Sequence, residues 1–250
     1  MKLLIIILTL LSERYLIHAF SATRFNWFSD YVENLTSKFQ QVRFIQNSYI
    51  ALILIILPLM LIVWVLLLLL GQLFFGIFGF IINFIVFYHC VGPENPFYPT
   101  KTPKDELENE LVAGNYFAKA NNQLFAVIFW FILTGPLGVL FYRLVSLCMH
   151  YEITKVAATN IINILDWPTT RITLLFYLLV GNFQKGFNYY QQVFLSSPKN
   201  NDAILSTGGL LAARSQELEI VTLPYAQSLV EYALVIYLVL IALLTLSTWL

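Results

Sequence analysis

The chain has 250 residues, of which 59% are hydrophobic and 11% are charged, and its mean hydropathy is +0.74. Soluble domains are nearer a quarter charged, so this composition excludes an ordinary soluble domain and indicates an integral membrane protein. The 14 basic and 14 acidic residues cancel, and the chain therefore lacks the positive field that nucleic-acid binding requires.

The N-terminus, MKLLIIILTLL, has the lysine and the short apolar core of a signal peptide. The core runs directly into Ser12-Glu13-Arg14, and the following HAFSA is a poor cleavage context. We therefore expect a retained helix whose Glu13-Arg14 pair faces the protein interior, with cleavage as the alternative. The aromatic residues of 12–48 predict either an amphipathic helix at the bilayer surface or a helix packed against the spans.

Four apolar runs, three of them charge-free and the third with only Arg143 near its end, are long enough to predict membrane spans, which need about 20 apolar residues. They are Tyr49–Leu70, Gln72–Cys90, Gln123–Leu144 and Tyr232–Leu250, and the N-terminal helix is a candidate fifth. Ile172–Val180 is too short to cross alone and predicts a buried or interfacial helix. The fold class is therefore all-α, a polytopic membrane protein in a lipid bilayer.

The polar stretches between the spans complete a single membrane domain, 1–250. Four prolines predict a loop over 93–104, and an acidic helix begins at Asp105. The predicted organisation begins with N-terminal and interfacial helices over 1–48, two spans over 49–91 and the loop and acidic helix over 92–121. It continues with a broken span over 122–145, a helical extramembrane or interfacial segment over 146–231 and the last span over 232–250. Alternating spans place 146–231 opposite the N-terminal stretch, and the basic residues favour a cytoplasmic N-terminus.

The third span contains a break at Gly135-Pro136. Proline removes a backbone donor and crowds the carbonyl four residues before it, and exposed backbone at membrane depth requires cover by protein or a watery cavity. Two interpretations stay open: a kink used for packing, or a polar cavity lined by the broken helix. Gly138 would permit close helix approach. Polar residues precede the span: Asn121, Asn122 and Gln123.

Arg171 follows ILDWPTT and lies inside an apolar run. At such a position an arginine needs a carboxylate or phosphate partner, and Asp166 is the nearest carboxylate in sequence. A structural ion pair and a small anionic ligand are both compatible with this pattern. Asp166 is expected to end one helix and cap the next, which Pro168 would begin. Arg143 is expected to reach from the end of the third span towards the interface, with ligand binding as the alternative.

Recognisable catalytic and metal-binding motifs are missing from the sequence. It has no phosphate-binding loop, no nucleophile elbow and no zinc-protease helix, and Cys90 and Cys148 lack the spacing of a metal site. We therefore expect buried thiols, no metal and no cofactor.

Three segments in order resemble the AmpE family of bacterial inner-membrane proteins linked to β-lactamase regulation. They are ANNQLFAVIFWFILTGPLGVLFYRLVS, ILDWPTTRITLLFYLLVGNF and the charge-free C-terminal helix, and Ser12-Glu13-Arg14 resembles the family's N-terminal pattern. The resemblance implies a multi-pass inner-membrane regulator of β-lactamase induction, with a membrane or cytoplasmic signalling partner.

The AmpE family is in turn similar to the superfamily of CobD/CbiB, the membrane synthase of cobalamin biosynthesis. That resemblance implies an alternative function, joining an aminoalkyl unit to a carboxylate. The synthase carries acidic residues before both shared elements, which suit Mg²⁺. Here those places hold Asn121-Asn122-Gln123 and Ile162-Asn163, so the resemblance favours a regulator that keeps the scaffold without the reaction.

Overall fold

A computed structural model describes residues 2–15, 24–39, 47–92, 106–214 and 220–247. Ten α-helices run through these ranges, together with short 3₁₀ helices at Leu73–Gly76 and Pro198–Asn200 and a π-helical turn at Asn121–Phe125. The helices are α1 (Lys2–Tyr15), α2 (Asn26–Phe39), α3 (Ser48–Leu70), α4 (Ile77–Cys90), α5 (Glu106–Ala120), α6 (Ala126–Cys148), α7 (Lys155–Val180), α8 (Phe183–Val193), α9 (Asn201–Ala213) and α10 (Leu223–Ser247). No strand occurs in the described ranges, and the prediction of an all-α fold is confirmed.

Three described helical stretches are long and apolar enough to cross a bilayer: α3, Asn109–Cys148 and α10. The chain is therefore a helical membrane protein. The predicted second span is shorter than expected, because α4 has 14 residues. At a rise of 1.5 Å per residue it is about 21 Å long, less than the hydrocarbon core of about 30 Å. α10 begins at Leu223, before the predicted start at Tyr232.

The chain forms two compact units that are not continuous in sequence. Unit 1 comprises Met1–Asn95 and Val127–Leu165, and unit 2 comprises Pro96–Ala126 and Asp166–Leu250. The chain thus passes between the units near the start of α6 and again within α7. The predicted loop 93–104 and its neighbour Asp105 lie outside the described residues, as do 18–22, which contain HAFSA, and the chain end at 248–250.

Unit 1 is built around α1, α3 and α4, with α1 and α3 both packed against α4. One face of α1 is buried, including Ile6 and Leu10. α2 buries Phe28 and Val32, and its Tyr31 hydroxyl donates to the Ile55 carbonyl of α3 at 3.1 Å. Of the two interpretations of 12–48, packing against a span therefore describes this face of α2, while Trp27 is exposed.

The beginnings of α3 and α7 lie together in unit 1. The Ala157 amide donates to the Ser48 hydroxyl at 3.1 Å, and the Asn160 side chain donates to the Tyr49 hydroxyl at 3.1 Å. The Tyr151 hydroxyl, just before α7, donates to Ser29 of α2 at 3.0 Å. These contacts place 151–160 beside the starts of α2 and α3 within unit 1, and the side of the membrane on which 146–231 lies stays a prediction.

Unit 2 packs α5 against α9 and α10. Glycines permit this close contact, because a Cβ at Gly209 would collide with the Phe117 ring and one at Gly208 with Leu174. The Tyr177 hydroxyl of α7 donates to the Phe117 carbonyl of α5 at 3.0 Å. An ion pair between Glu110 and Arg214 ties the start of α5 to the end of α9.

α7 does not break at Asp166-Trp167-Pro168. It is one helix of 26 residues with Pro168 inside it, so the prediction that Asp166 ends one helix and caps another is wrong. Side chains bind carbonyls beside the proline. The Thr169 hydroxyl donates to the Asp166 carbonyl at 3.1 Å, and Arg171 donates to the Trp167 carbonyl at 3.1 Å.

Candidate functional site

Arg171 is buried in unit 2, with 4% of its surface exposed, and each of its donors has an acceptor. Nε donates to the Phe194 carbonyl at 3.2 Å. Nη1 donates to Asn201 Oδ1 at 2.6 Å and to the Trp167 carbonyl at 3.1 Å. Nη2 donates to the Ser196 carbonyl and hydroxyl, both at 3.0 Å. These five bonds use all five N–H groups of a guanidinium.

The described partners of Arg171 are neutral oxygens, where the sequence predicted a carboxylate or phosphate. The guanidinium also lies over the Trp167 ring, 4.7 Å from its centre, and Trp167 Nε1 donates to the same Ser196 carbonyl at 3.1 Å. Burial lowers the pKa of Arg171, and the Tyr190 phenolate would oppose that shift. Arg171 thus ties α7 to the end of α8 and the start of α9, and its geometry leaves no N–H group directed at a ligand.

A polar stripe runs along the buried face of α7 in unit 2. It consists of Asp166, Thr170, Thr173 and Tyr177, whose spacing of four, three and four residues places them on one side of a helix. All four are at most 5% exposed. The Thr170 hydroxyl has no hydrogen-bond partner among the described residues. Asp166 is engaged by neighbouring groups.

The stripe meets the polar residues that precede α6. The Thr173 hydroxyl donates to Asn121 Oδ1 at 2.8 Å, and Asn121 Nδ2 donates to Asn122 Oδ1 at 3.0 Å. Asn121 and Gln123 are buried. All three predicted polar residues belong to the π-helical turn Asn121–Phe125. Such turns are rare and are frequent at functional sites, so this junction of α7 and the π turn, which we call the polar junction, is the stronger candidate site.

The break in α6 lies in unit 1, at Gly135. Its φ of 77° and ψ of −159° are not helical, and only glycine adopts that region readily. Pro136 has no N–H for the Ile132 carbonyl four residues earlier. The Lys2 ammonium donates to that carbonyl at 2.7 Å. The break therefore has a protein partner within unit 1, which supports the packing interpretation.

Gly138 makes a close contact of a different kind from the one predicted. A Cβ at Gly138 would collide with the Thr134 side chain, which belongs to the same helix just before the break. The Thr134 hydroxyl itself donates to the Trp130 carbonyl at 2.7 Å. The glycine thus lets the two halves of α6 meet at the kink rather than letting a second helix approach.

The N-terminal pair is divided between interior and surface. Glu13 is 1% exposed and forms a buried ion pair with Arg24, whereas Arg14 is exposed. The prediction that both residues face the interior is therefore wrong for Arg14. Arg24 also donates to the carbonyls of Tyr88 and Val91 at 3.0 and 2.9 Å, at the C-terminal end of α4.

Arg143 does not reach towards the interface. It is 3% exposed, and its Nε donates to the Cys90 carbonyl at 2.7 Å. Arg24 and Arg143 together cap the end of α4, whose last carbonyls have no helical partners. Cys90 and Cys148 are both free and buried, as predicted.

Several residues of these sites were not predicted from the sequence. Asn201 and Ser196 bind Arg171 from 30 and 25 residues away, and Lys2 binds Ile132 from 130 residues away. Sequence spacing carries no signal for such pairs. Thr170 and Thr173 could have been predicted from the sequence, because their spacing from Asp166 places them on the same face of a helix.

Known proteins give no further guide to the site. The chain matches no protein-family model, no curated protein and no solved structure. In the described ranges, no three His, Cys, Asp or Glu residues lie close enough together to hold a metal ion.

Proposed function

We propose that the chain is an AmpE-like regulator of the bacterial inner membrane, acting in β-lactamase induction and the response to cell-wall stress. Its sensing site is the polar junction, where a small polar ligand binds and changes the contact between α7 and the π turn. The family assignment rests on the sequence resemblance, and the sensing site rests on the structure.

The observation that carries the site is the Thr170 hydroxyl. It is 0% exposed, has no described hydrogen-bond partner, and lies between Asp166 and Thr173 on the polar stripe. A buried hydroxyl without a partner costs about 1–3 kcal/mol, and such a cost is offset when a ligand supplies the missing bond. The Thr170 hydroxyl can donate or accept a hydrogen bond, so the ligand is expected to carry a polar group that pairs with it.

The experiment compares β-lactamase induction by a β-lactam in a strain lacking this gene and in strains complemented with variants. Thr170→Val removes the hydroxyl with little change of shape and breaks no described hydrogen bond. The matched control is Thr9→Val, which removes another hydroxyl that is fully buried and has no described partner, on the apolar helix α1. All variants are compared at equal abundance in the membrane.

We expect deletion to alter induction, and the wild type and Thr9→Val to restore it, while Thr170→Val does not. Restoration by both variants would remove the polar junction from the mechanism and leave the regulator itself standing. Induction that is unchanged by deletion would contradict the regulator. The cobalamin-synthase alternative would then be tested by assaying the purified protein for amide formation with aminoalkyl and carboxylate substrates.

A further inference from the structure

Unit 1 contains an apolar groove that the proposed regulator function does not use. The groove has a volume of about 410 Å³ and lies between α3, the second half of α6 and the start of α7. All ten side chains that line it are apolar. An engineered apolar cavity of about 150 Å³ is large enough to hold benzene, so this groove has room for a longer hydrocarbon.

One wall of the groove is formed by a helix that is long and apolar enough to cross a membrane. Its lining residues on α3 run from Leu52 to Trp64, within a helix of mean hydropathy 3.3 that qualifies as a membrane span. Only 17% of the most apolar window of α3 is buried. Ile53, Leu57 and Leu61 are each about half exposed along the opening. The medium that meets this opening in a bilayer is the lipid hydrocarbon.

The length of the groove fits one leaflet. Leu52 and Trp64 are 12 residues apart, which corresponds to about 18 Å along a helix. Half of a hydrocarbon core of about 30 Å is close to that length. Leu137 and Phe141 form the opposite wall and follow directly after the break at Gly135. The half of α6 that follows the break thereby forms the wall opposite α3.

Polar groups stand at one end of the groove. Tyr49, one turn before Leu52, accepts a hydrogen bond from Asn160, which adjoins the lining residue Ile161. Tyrosine is enriched where a membrane meets water, because its ring is apolar and its hydroxyl is polar. A lipid whose head group lies beside Tyr49 and Asn160 would direct its acyl chain along the groove.

We propose that this groove is a binding site for one acyl chain of a membrane phospholipid, from the leaflet at the start of α3. The acyl chain fills the apolar volume between α3 and α6 and holds the second half of α6 beside α3. Contacts with the ordinary lipid surface, such as the exposed face of α10, exchange freely, whereas a chain in the groove is retained.

The test uses the full-length protein in nanodiscs of phosphatidylethanolamine and phosphatidylglycerol, with a small fraction of phospholipid that carries a photoreactive diazirine in its acyl chain. After irradiation, the labelled residues are mapped by peptide mass spectrometry. A chase with an excess of unlabelled phospholipid before irradiation separates retained from exchanging lipid. We expect Met60 and Phe141 to be labelled and to keep their label after the chase, while the label on α10 is lost.

Filling the groove should remove its label. Leu57→Trp and Ile53→Trp each place an indole in the opening, at different points, so a folding defect of one leaves the other informative. Leu69→Trp is the matched control, since it lies on the same helix, is exposed and does not line the groove. We expect the first two variants to lose the groove label and to keep the label on α10, and Leu69→Trp to behave as the wild type.

Three results would overturn the proposal. The first is groove label that the chase removes as readily as the label on α10. The second is groove label that persists equally in Leu57→Trp and Leu69→Trp. The third is efficient disulfide formation between copies of Leu57→Cys in the membrane, since this would make the groove an interface between two copies of the chain.

Discussion

At the scale of single residues, Arg171 illustrates how a buried charge is held without an opposite charge among its described partners. Five neutral oxygens surround its guanidinium, and Trp167 covers one face. Hydrogen bonds from a charged donor contribute more than neutral ones, about 1.5–3 kcal/mol each. This arrangement makes Arg171 the point at which α7, the end of α8 and the start of α9 are joined.

Arg171→Lys should therefore destabilise the protein although it keeps the charge. An ammonium has three donors for five acceptors and cannot reproduce the planar fork or the stacking. We expect the free energy of unfolding to fall by about 2–3 kcal/mol, measured by thermal unfolding in detergent. Arg14→Lys, at an exposed position, is the control and should change little. Equal stability of the two variants would mean that the contacts of Arg171 contribute nothing to folding.

The same residues show what the sequence can and cannot predict at this scale. An arginine inside an apolar run is visible in the sequence, and so is its need for partners. Its partners are not visible, because Ser196 lies in the loop after α8 and Asn201 begins α9, and the positions of both depend on the packing of α8 and α9. The misplacement of Arg143 has the same origin: its acceptor is a backbone carbonyl, which every residue possesses.

At the scale of elements, the kink in α6 shows how a helix break is made tolerable in a membrane protein. The glycine and proline that cause it are evident in the sequence. The structure adds the cation that satisfies the freed carbonyl, because Lys2 reaches Ile132 from the first turn of α1. The kink and the N-terminal helix are therefore parts of one arrangement.

This coupling predicts the outcome of a double-mutant comparison. Lys2→Met should lower the free energy of unfolding by about 1 kcal/mol, since it leaves the Ile132 carbonyl without its donor. In the background Gly135→Ala/Pro136→Ala, the helix can continue and residue 136 regains an N–H for that carbonyl. Lys2→Met should then cost much less. Thermal unfolding in detergent measures both differences, with the exposed Lys199→Met as the control; equal costs in the two backgrounds would refute the coupling.

Helix lengths set another limit on what the sequence can predict. Hydropathy placed α3 within one residue of its observed start, because a run of apolar residues bounded by Asn47 and Gly71 has clear ends. The same reasoning predicted a helix longer than the observed α4. The apolar run from Gln72 to Cys90 contains Gly76 at a φ of 85°, and the residues before it form a 3₁₀ turn rather than helix. Hydropathy alone does not register such a turn.

At the scale of the whole molecule, the short α4 changes the expected topology. Four alternating spans would separate α2 from the start of α7. In unit 1 the segment just before α7 instead meets α2, through Tyr151 with Ser29, and the start of α7 meets the start of α3, through Ala157 with Ser48. α3 is about 34 Å long and can cross the hydrocarbon core of about 30 Å. We therefore expect the chain to cross at α3 and to return by α6, which would bring Lys155 to the side that holds Arg14 and Arg24.

That side should be the cytoplasm, because basic residues near span ends favour it. Single cysteines at the exposed positions Asn34, Glu152 and Gln72 can test this, as Cys90 and Cys148 are buried and should react little. We expect a membrane-impermeant maleimide to label Gln72→Cys in intact cells, and to label Asn34→Cys and Glu152→Cys only after permeabilisation. Labelling of Asn34→Cys and Glu152→Cys from opposite faces would restore the four-span topology. Labelling of both from outside would keep the expected crossings at α3 and α6 but reverse their orientation.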